Sequence, residues 1–151
     1  MRRRDFLTGL AVIANGIASA RMSNAQAPRK MVRVGIATLQ PRTGPLWTAF
    51  EQRLQQLGYT EGENLAVESI DLNGSISRES EAMKELIRRK VDILIGSGIE
   101  IALKSALAAT DKLPIVMIAI DYDPLALNYI ASLARPGGNV TGVFSSKSSL
   151  R

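Results

Sequence analysis

The hydrophobic pattern changes period repeatedly along the chain. Residues 31–38, "MVRVGIAT", form a short apolar run that predicts a strand. Residues 44–58 follow with Leu46, Phe50, Leu54 and Leu57 at helical spacing and Gly58 as a stop. Residues 64–71, "NLAVESID", alternate as a second strand does. Residues 77–89 predict a helix with Met83, Leu86 and Ile87 inward and Ser75 or Ser77 as its cap. Residues 91–96, "VDILIG", lack polar alternation, as a strand covered on both faces should. An alanine-rich helix over 99–110, a buried strand over 114–119 ("PIVMIA") and a last helix over 125–134 complete the series. Arg135-Pro136-Gly137-Gly138-Asn139 then specifies a sharp turn into a fifth strand at Val140, because proline cannot continue a helix and paired glycines reach backbone angles closed to other residues.

Strands alternating with helices imply a parallel sheet with helices on both faces. Five of them fit the flavodoxin-like α/β order 2-1-3-4-5. Gly58, Gly62 and Asn64 read as helix stop and turn, and Asn139-Val140-Thr141 as strand entry.

A chain of 151 residues with 46% hydrophobic content has material for one cored domain. Cysteine and histidine are both absent. That excludes disulfides, thiolate chemistry and the commonest general base and metal ligand, so the composition leans away from catalysis and no cofactor or metal is expected. The net charge of +5 raises the question of nucleic acid. Four of the 19 basic residues and one of the 14 acidic ones lie in the first 27 positions, which leaves 15 against 13 for the rest. Only Arg88-Arg89-Lys90 clusters, at an expected helix end where cations suit the helix dipole, so no nucleic-acid partner is expected.

The first 27 residues read as an export signal. A basic head (Arg2, Arg3, Arg4) precedes an apolar stretch too short to span a bilayer, and Ala25-Gln26-Ala27 has the small-x-small form of a cleavage site before Pro28. Arg3-Arg4-Asp5-Phe6-Leu7 resembles the twin-arginine signal of bacterial exported proteins, carried by Arg3, Arg4, Phe6 and Leu7. A periplasmic location, with cleavage after Ala27, follows from this reading.

In open α/β sheets ligands sit beyond the carboxyl ends of the strands. That rule selects residues 39–44, 97–100 and 119–124. Thr43 and Ser97 offer hydroxyls, with Gly98 beside the latter, and the helices that follow aim backbone N–H groups at the same crevice. Gln40 and Arg42 suit a carboxylate, Asp121 an amine, and Tyr122 a stacking contact. Blander roles stand beside these: Ser97 as a helix cap, Asp123 before Pro124 as a turn former, Arg42 as a solvated cation.

The export signal, "FEQRLQQLGYTEGENLAVE", "LIRRKVDILIGSG" and "LPIVMIAIDYDPLALNYIASLARPGGNVTGV", in that order, resemble the substrate-binding proteins of bacterial ABC transporters, of the tryptophan- and tyrosine-type uptake family. Members commonly carry Gly-Asp-Pro or Thr-Asp-Pro where this chain has Tyr122-Asp123-Pro124. The resemblance implies two α/β lobes of a type I periplasmic-binding-protein fold closing on a small polar, amino-acid-like ligand, with a membrane permease as partner and no enzymatic activity. It further implies that 28–144 is the N-terminal lobe, that 145–151 begins the hinge, and that the second lobe is absent. An isolated lobe, its crevice open, is expected to bind weakly and to self-associate. The alternative is a small flavodoxin-like enzyme or a receiver-type signalling domain. A receiver needs acidic residues directly after strand one, where Thr38, Leu39 and Gln40 stand.

Overall fold

The computed structural model describes residues 30–145, and the expected export signal at 1–27 and most of the expected hinge segment lie outside the described residues. The elements run β1 (Val32–Thr38), α1 (Pro45–Gln56), β2 (Leu65–Asp71), a 3-10 turn (Ile76–Arg78), α2 (Glu79–Arg88), β3 (Ile93–Gly98), α3 (Glu100–Ala109), β4 (Ile115–Ile120) and β5 (Val140–Ser145). All five strands are parallel, in the order β2-β1-β3-β4-β5. This is the flavodoxin-like order that the alternation of strands and helices predicts. No described helix is long and apolar enough to cross a membrane.

Strand alternation sorts side chains onto two cores. Val34 and Ile36 of β1, Val67 of β2 and Ile95 of β3 face α1, where Trp47, Phe50 and Leu54 meet them. Ala37, Leu94, Ile115, Met117 and Ala119 face the other way, onto Met83 and Leu86 of α2 and Leu103 and Ala106 of α3. Fully buried side chains such as Leu86 and Leu103 contribute about 1.5–3 kcal/mol each through removal from water. Gly35 permits the close approach of α2: a Cβ there would sit 3.0 Å from a Val91 methyl and 3.3 Å from Leu86 Cβ. The face carrying α1 is covered mainly over β2, β1 and β3, and Val143 of β5 is 65% exposed.

Four local expectations are corrected. Residues 125–134 form turns, not a helix. Asp123 Oδ1 accepts the N–H groups of Leu125 and Ala126, but Asn128 takes a positive φ of 57°, and the Tyr129 N–H turns back to the Pro124 carbonyl. Second, α2 begins at Glu79 behind the 3-10 turn, and neither Ser75 nor Ser77 caps it; their hydroxyls bond each other at 2.9 Å. Third, the inward stripe of α1 is Trp47, Phe50 and Leu54, whereas Leu46 is 88% exposed and Leu57 is also exposed. Fourth, β3 lies two residues later than expected, so Ser97 and Gly98 belong to the strand, opposite Ile118 and Ala119 of β4.

Candidate functional site

A cleft of about 440 Å³ opens at the carboxyl ends of β1, β3 and β4. Its floor comes from strand ends: Ile36, Ala37 and Thr38 of β1, Ser97 and Gly98 of β3, and Ile120 of β4. Leu39, Gln40, Pro41 and Thr43 of the β1–α1 loop, Leu46 and Trp47 of α1, and Ile99 before α3 form the walls. Ile76 and Glu79 close it from the β2–α2 side. Leu39, Leu46, Ile99 and Ile120 are exposed, so the mouth presents an apolar rim around a few polar groups, the composition of a small-molecule pocket.

The backbone around the cleft is arranged for polar contact. Gly44, with φ of 107°, turns the chain into α1 and Pro45 occupies the first helical position, where its missing N–H costs nothing. Neither α1 nor α3 has a side-chain cap, so N–H groups of both first turns lack a side-chain acceptor. Ser97, held in β3, is not a helix cap; the residue preceding α3 is the extended Ile99. Gly98 adopts φ of 117°, and a Cβ there would meet nothing within 4 Å, so the strand end stays open toward the cleft.

The structure gathers Gln40, Thr43, Ser97 and Gly98 around this cleft and places Arg42, Asp121 and Tyr122 outside its lining. Arg42 is engaged elsewhere. Its guanidinium bonds Glu61 at 2.7 Å and Glu51 at 3.1 Å, reaches the Val67 carbonyl, and lies 4.7 Å from the Trp47 ring centre. The hydrogen bond from Arg42 holds Glu61 below the ordinary carboxylate range, and Glu61 in turn raises Arg42. Trp47 Nε1 donates to Glu51 at 2.6 Å, so one cation clamps the loop after β1 to α1 and to the turn before β2. Asp121 sits at a positive φ of 64° with its N–H on the Ser145 carbonyl, which ties the end of β4 to β5. Tyr122 packs against the core beneath α2 and α3, and burial, with the nearby Glu100, pushes its hydroxyl up to about 12. That hydroxyl has no hydrogen-bond partner.

Glu79 is the cleft residue that the sequence reading missed. It opens α2, is 2% exposed, and its buried Oε1 has no hydrogen-bond partner. Burial pushes its carboxyl from 4.5 up to about 7. Among the described residues it is the single acidic or basic side chain lining the cleft. A signal was present: Glu79, Ala82, Met83 and Leu86 stand at the i, i+3, i+4, i+7 spacing of one helix face, so the carboxylate occupies the apolar stripe. A larger groove of about 520 Å³ runs between β2 and α2, but its Arg88 and Arg89 are already paired with Glu81, Glu85 and Glu68. Among the described residues no cluster of acidic side chains could hold a metal ion.

Residues 45–150, more than half of the chain, match the family model described as ABC transporter substrate binding protein. A tyrosine-binding protein of Clostridioides difficile (strain R20291) is 27% identical over 116 residues, which cover 76% of this chain and 33% of that one. The fold superposes with a TM-score of 0.65 on an ABC domain from Streptococcus pneumoniae in complex with L-Trp, at 26% identity over 78% of this chain and 39% of that one. A ligand-free, open substrate binding protein from Clostridium difficile, 24% identical with a TM-score of 0.64, covers 78% of this chain and 41% of its own, and shows the same fold. The chain thus spans about a third of the length of the curated relative and about two fifths of those solved structures. It belongs to the ABC transporter substrate binding protein family.

Proposed function

We propose that this chain is a non-enzymatic solute-binding component of an ABC uptake system, and that the cleft at the ends of β1, β3 and β4 receives a small polar, amino-acid-like ligand. The observation that carries this reading is the cleft itself: apolar walls with a few polar groups, at the place where open α/β sheets take ligands, in a member of this family. Gln40, Thr43, Ser97 and Gly98 are its polar contacts, and the uncapped first turns of α1 and α3 suit a ligand carboxylate. The Trp-bound and tyrosine-binding relatives support an aromatic amino acid as the first ligand to try.

In this reading the described unit acts as one lobe, and a second lobe closes over the apolar rim of Leu39, Leu46, Ile99 and Ile120. Export by the signal at 1–27, residence in the periplasm and delivery to a membrane permease complete the role. Pockets of this kind bury about 70–90% of a small ligand, and one wall supplies roughly half of that. Losing about 3 kcal/mol of contact weakens binding more than a hundredfold, so a single lobe should bind only in the millimolar range. Amide NMR titration with aromatic and branched amino acids tests the site. Shifts confined to residues 38–47, 76–79 and 97–99 support it, and shifts elsewhere, or none at tens of millimolar ligand, refute it.

A further inference from the structure

We propose that Glu79 is the receptor for a positively charged ligand group, so that the cleft selects amines over acids of the same shape. The inference rests on the reading of the cleft as the ligand site and adds what that site must recognise. A buried polar atom without a partner is costly, and native proteins seldom leave one unless something completes it. Glu79 is such a group: almost wholly inaccessible, Oε1 unpartnered, and bordering the cleft. Among the described residues no cationic side chain lines the cleft to satisfy it. Arg42, the nearest candidate in the sequence of the loop, is held by Glu51 and Glu61. Arg78, next in the chain, directs its guanidinium to the Leu72 carbonyl.

The remaining chemistry of the cleft fits a ligand with a donor-rich head and an apolar body. An ammonium carries three donors and forms the strong, charge-assisted kind of hydrogen bond with a carboxylate. Ile36, Leu39, Trp47, Ile76, Ile99 and Ile120 offer the body an apolar wall. A neutral or anionic head group placed at Glu79 leaves the carboxylate unpaired, and that asymmetry is the source of discrimination.

The test uses ligands that share a body and differ in head group. L-Tryptophan, tryptamine and indole-3-propionate are titrated into the 151-residue chain at pH 7.5 and followed by amide NMR. L-Leucine, isoamylamine and 4-methylpentanoate repeat the comparison on a branched aliphatic body. Tryptamine should bind at least tenfold more tightly than indole-3-propionate, and Glu79→Gln should abolish that preference while keeping a dispersed, folded spectrum. Glu79→Asp, which retains the charge, should keep the preference in part, and Glu81→Gln, on the exposed face of α2, should leave it intact. Equal binding of amine and acid at the cleft, or an amine preference that survives Glu79→Gln, overturns the proposal while the cleft remains the ligand site. If neither body perturbs the cleft amides with any head group, the ligand-site reading is wrong and the proposal falls with it.

Discussion

Replacing Glu79 by Gln should stabilise the fold at neutral pH and leave it unchanged in acid. The carboxyl titrates near 4.5 in the unfolded chain and near 7 in the folded one because it is buried. The folded state therefore holds its proton longer, and stability falls as pH rises from about 4.5 to about 7. A displacement of that size corresponds to about 3 kcal/mol. The position of Glu79 in the first turn of α2 favours the ionised form by about 0.5–1 kcal/mol, which brings the expected net cost to roughly 2 kcal/mol. Gln keeps the shape and removes the titration. Thermal and urea unfolding of both proteins from pH 4 to pH 8 should give curves that coincide near pH 4 and diverge by roughly 2 kcal/mol, on the order of 5–10 °C in Tm, by pH 7.5. Taking the difference between the two proteins cancels every other titrating group. Parallel curves, or a variant less stable than the parent at pH 7.5, would show that the folded protein stabilises the Glu79 carboxylate after all.

Tyr122→Phe should be neutral or stabilising by up to about 1 kcal/mol, because it deletes a buried hydroxyl without a partner; a loss in urea unfolding would expose a missed hydrogen bond. Gly142→Ala should destabilise by more than about 2 kcal/mol, since at φ of 150° a Cβ would fall on the Met117 carbonyl of β4, and an unchanged Tm would contradict the β4–β5 pairing. Arg42→Ala should cost about 1 kcal/mol and shift the amides of both loops it clamps. The same change should remove the part of the acid limb that comes from Glu61, whose lowered value makes stability present above about pH 4.5 and lost as pH falls. For export, mass spectrometry of periplasmic material should find a chain beginning at Pro28, and intact Met1 in the cytosol would refute the signal reading.

The sheet was legible because period and composition agreed at every strand. Residues 31–38, 64–71 and 114–119 each carry apolar or alternating runs bounded by turn residues, and each became a strand within one residue at either end. The helix over 125–134 was illegible because its local preferences conflict: Asp123-Pro124 starts a turn well, but Asn128 readily accepts left-handed angles and the Pro136-Gly137-Gly138 turn pulls the chain back. The strand-end rule found half the cleft, since Gln40 and Thr43 lie in the loop after β1 and Ser97 and Gly98 form the carboxyl end of β3. It could not separate these from Arg42, Asp121 and Tyr122. The fate of Arg42 depends on Glu61, which lies 19 residues away in sequence and meets it only in the fold. Glu79 lies at the far end of the β2–α2 connection, where loop counting does not reach, although its place on the apolar face of α2 marked it.

The energetics of Glu79 bear on how such a cleft is tuned. A leucine or glutamine at that position would give a more stable lobe, because the carboxylate loses more hydration on burial than the first turn of α2 returns, and its Oε1 finds no partner. Destabilising groups of this kind concentrate at binding sites, where the ligand supplies what the fold withholds. If an ammonium completes Glu79, two terms move together on binding: the carboxylate acquires its partner, and its proton affinity falls back toward the ordinary range. Ligand affinity should then rise with pH through about 7 as the free carboxyl ionises, while the stability of the empty lobe falls over the same interval. Opposite slopes for affinity and stability, both erased by Glu79→Gln, are a signature that simple burial of an idle acid does not produce. An idle acid shows the stability slope alone.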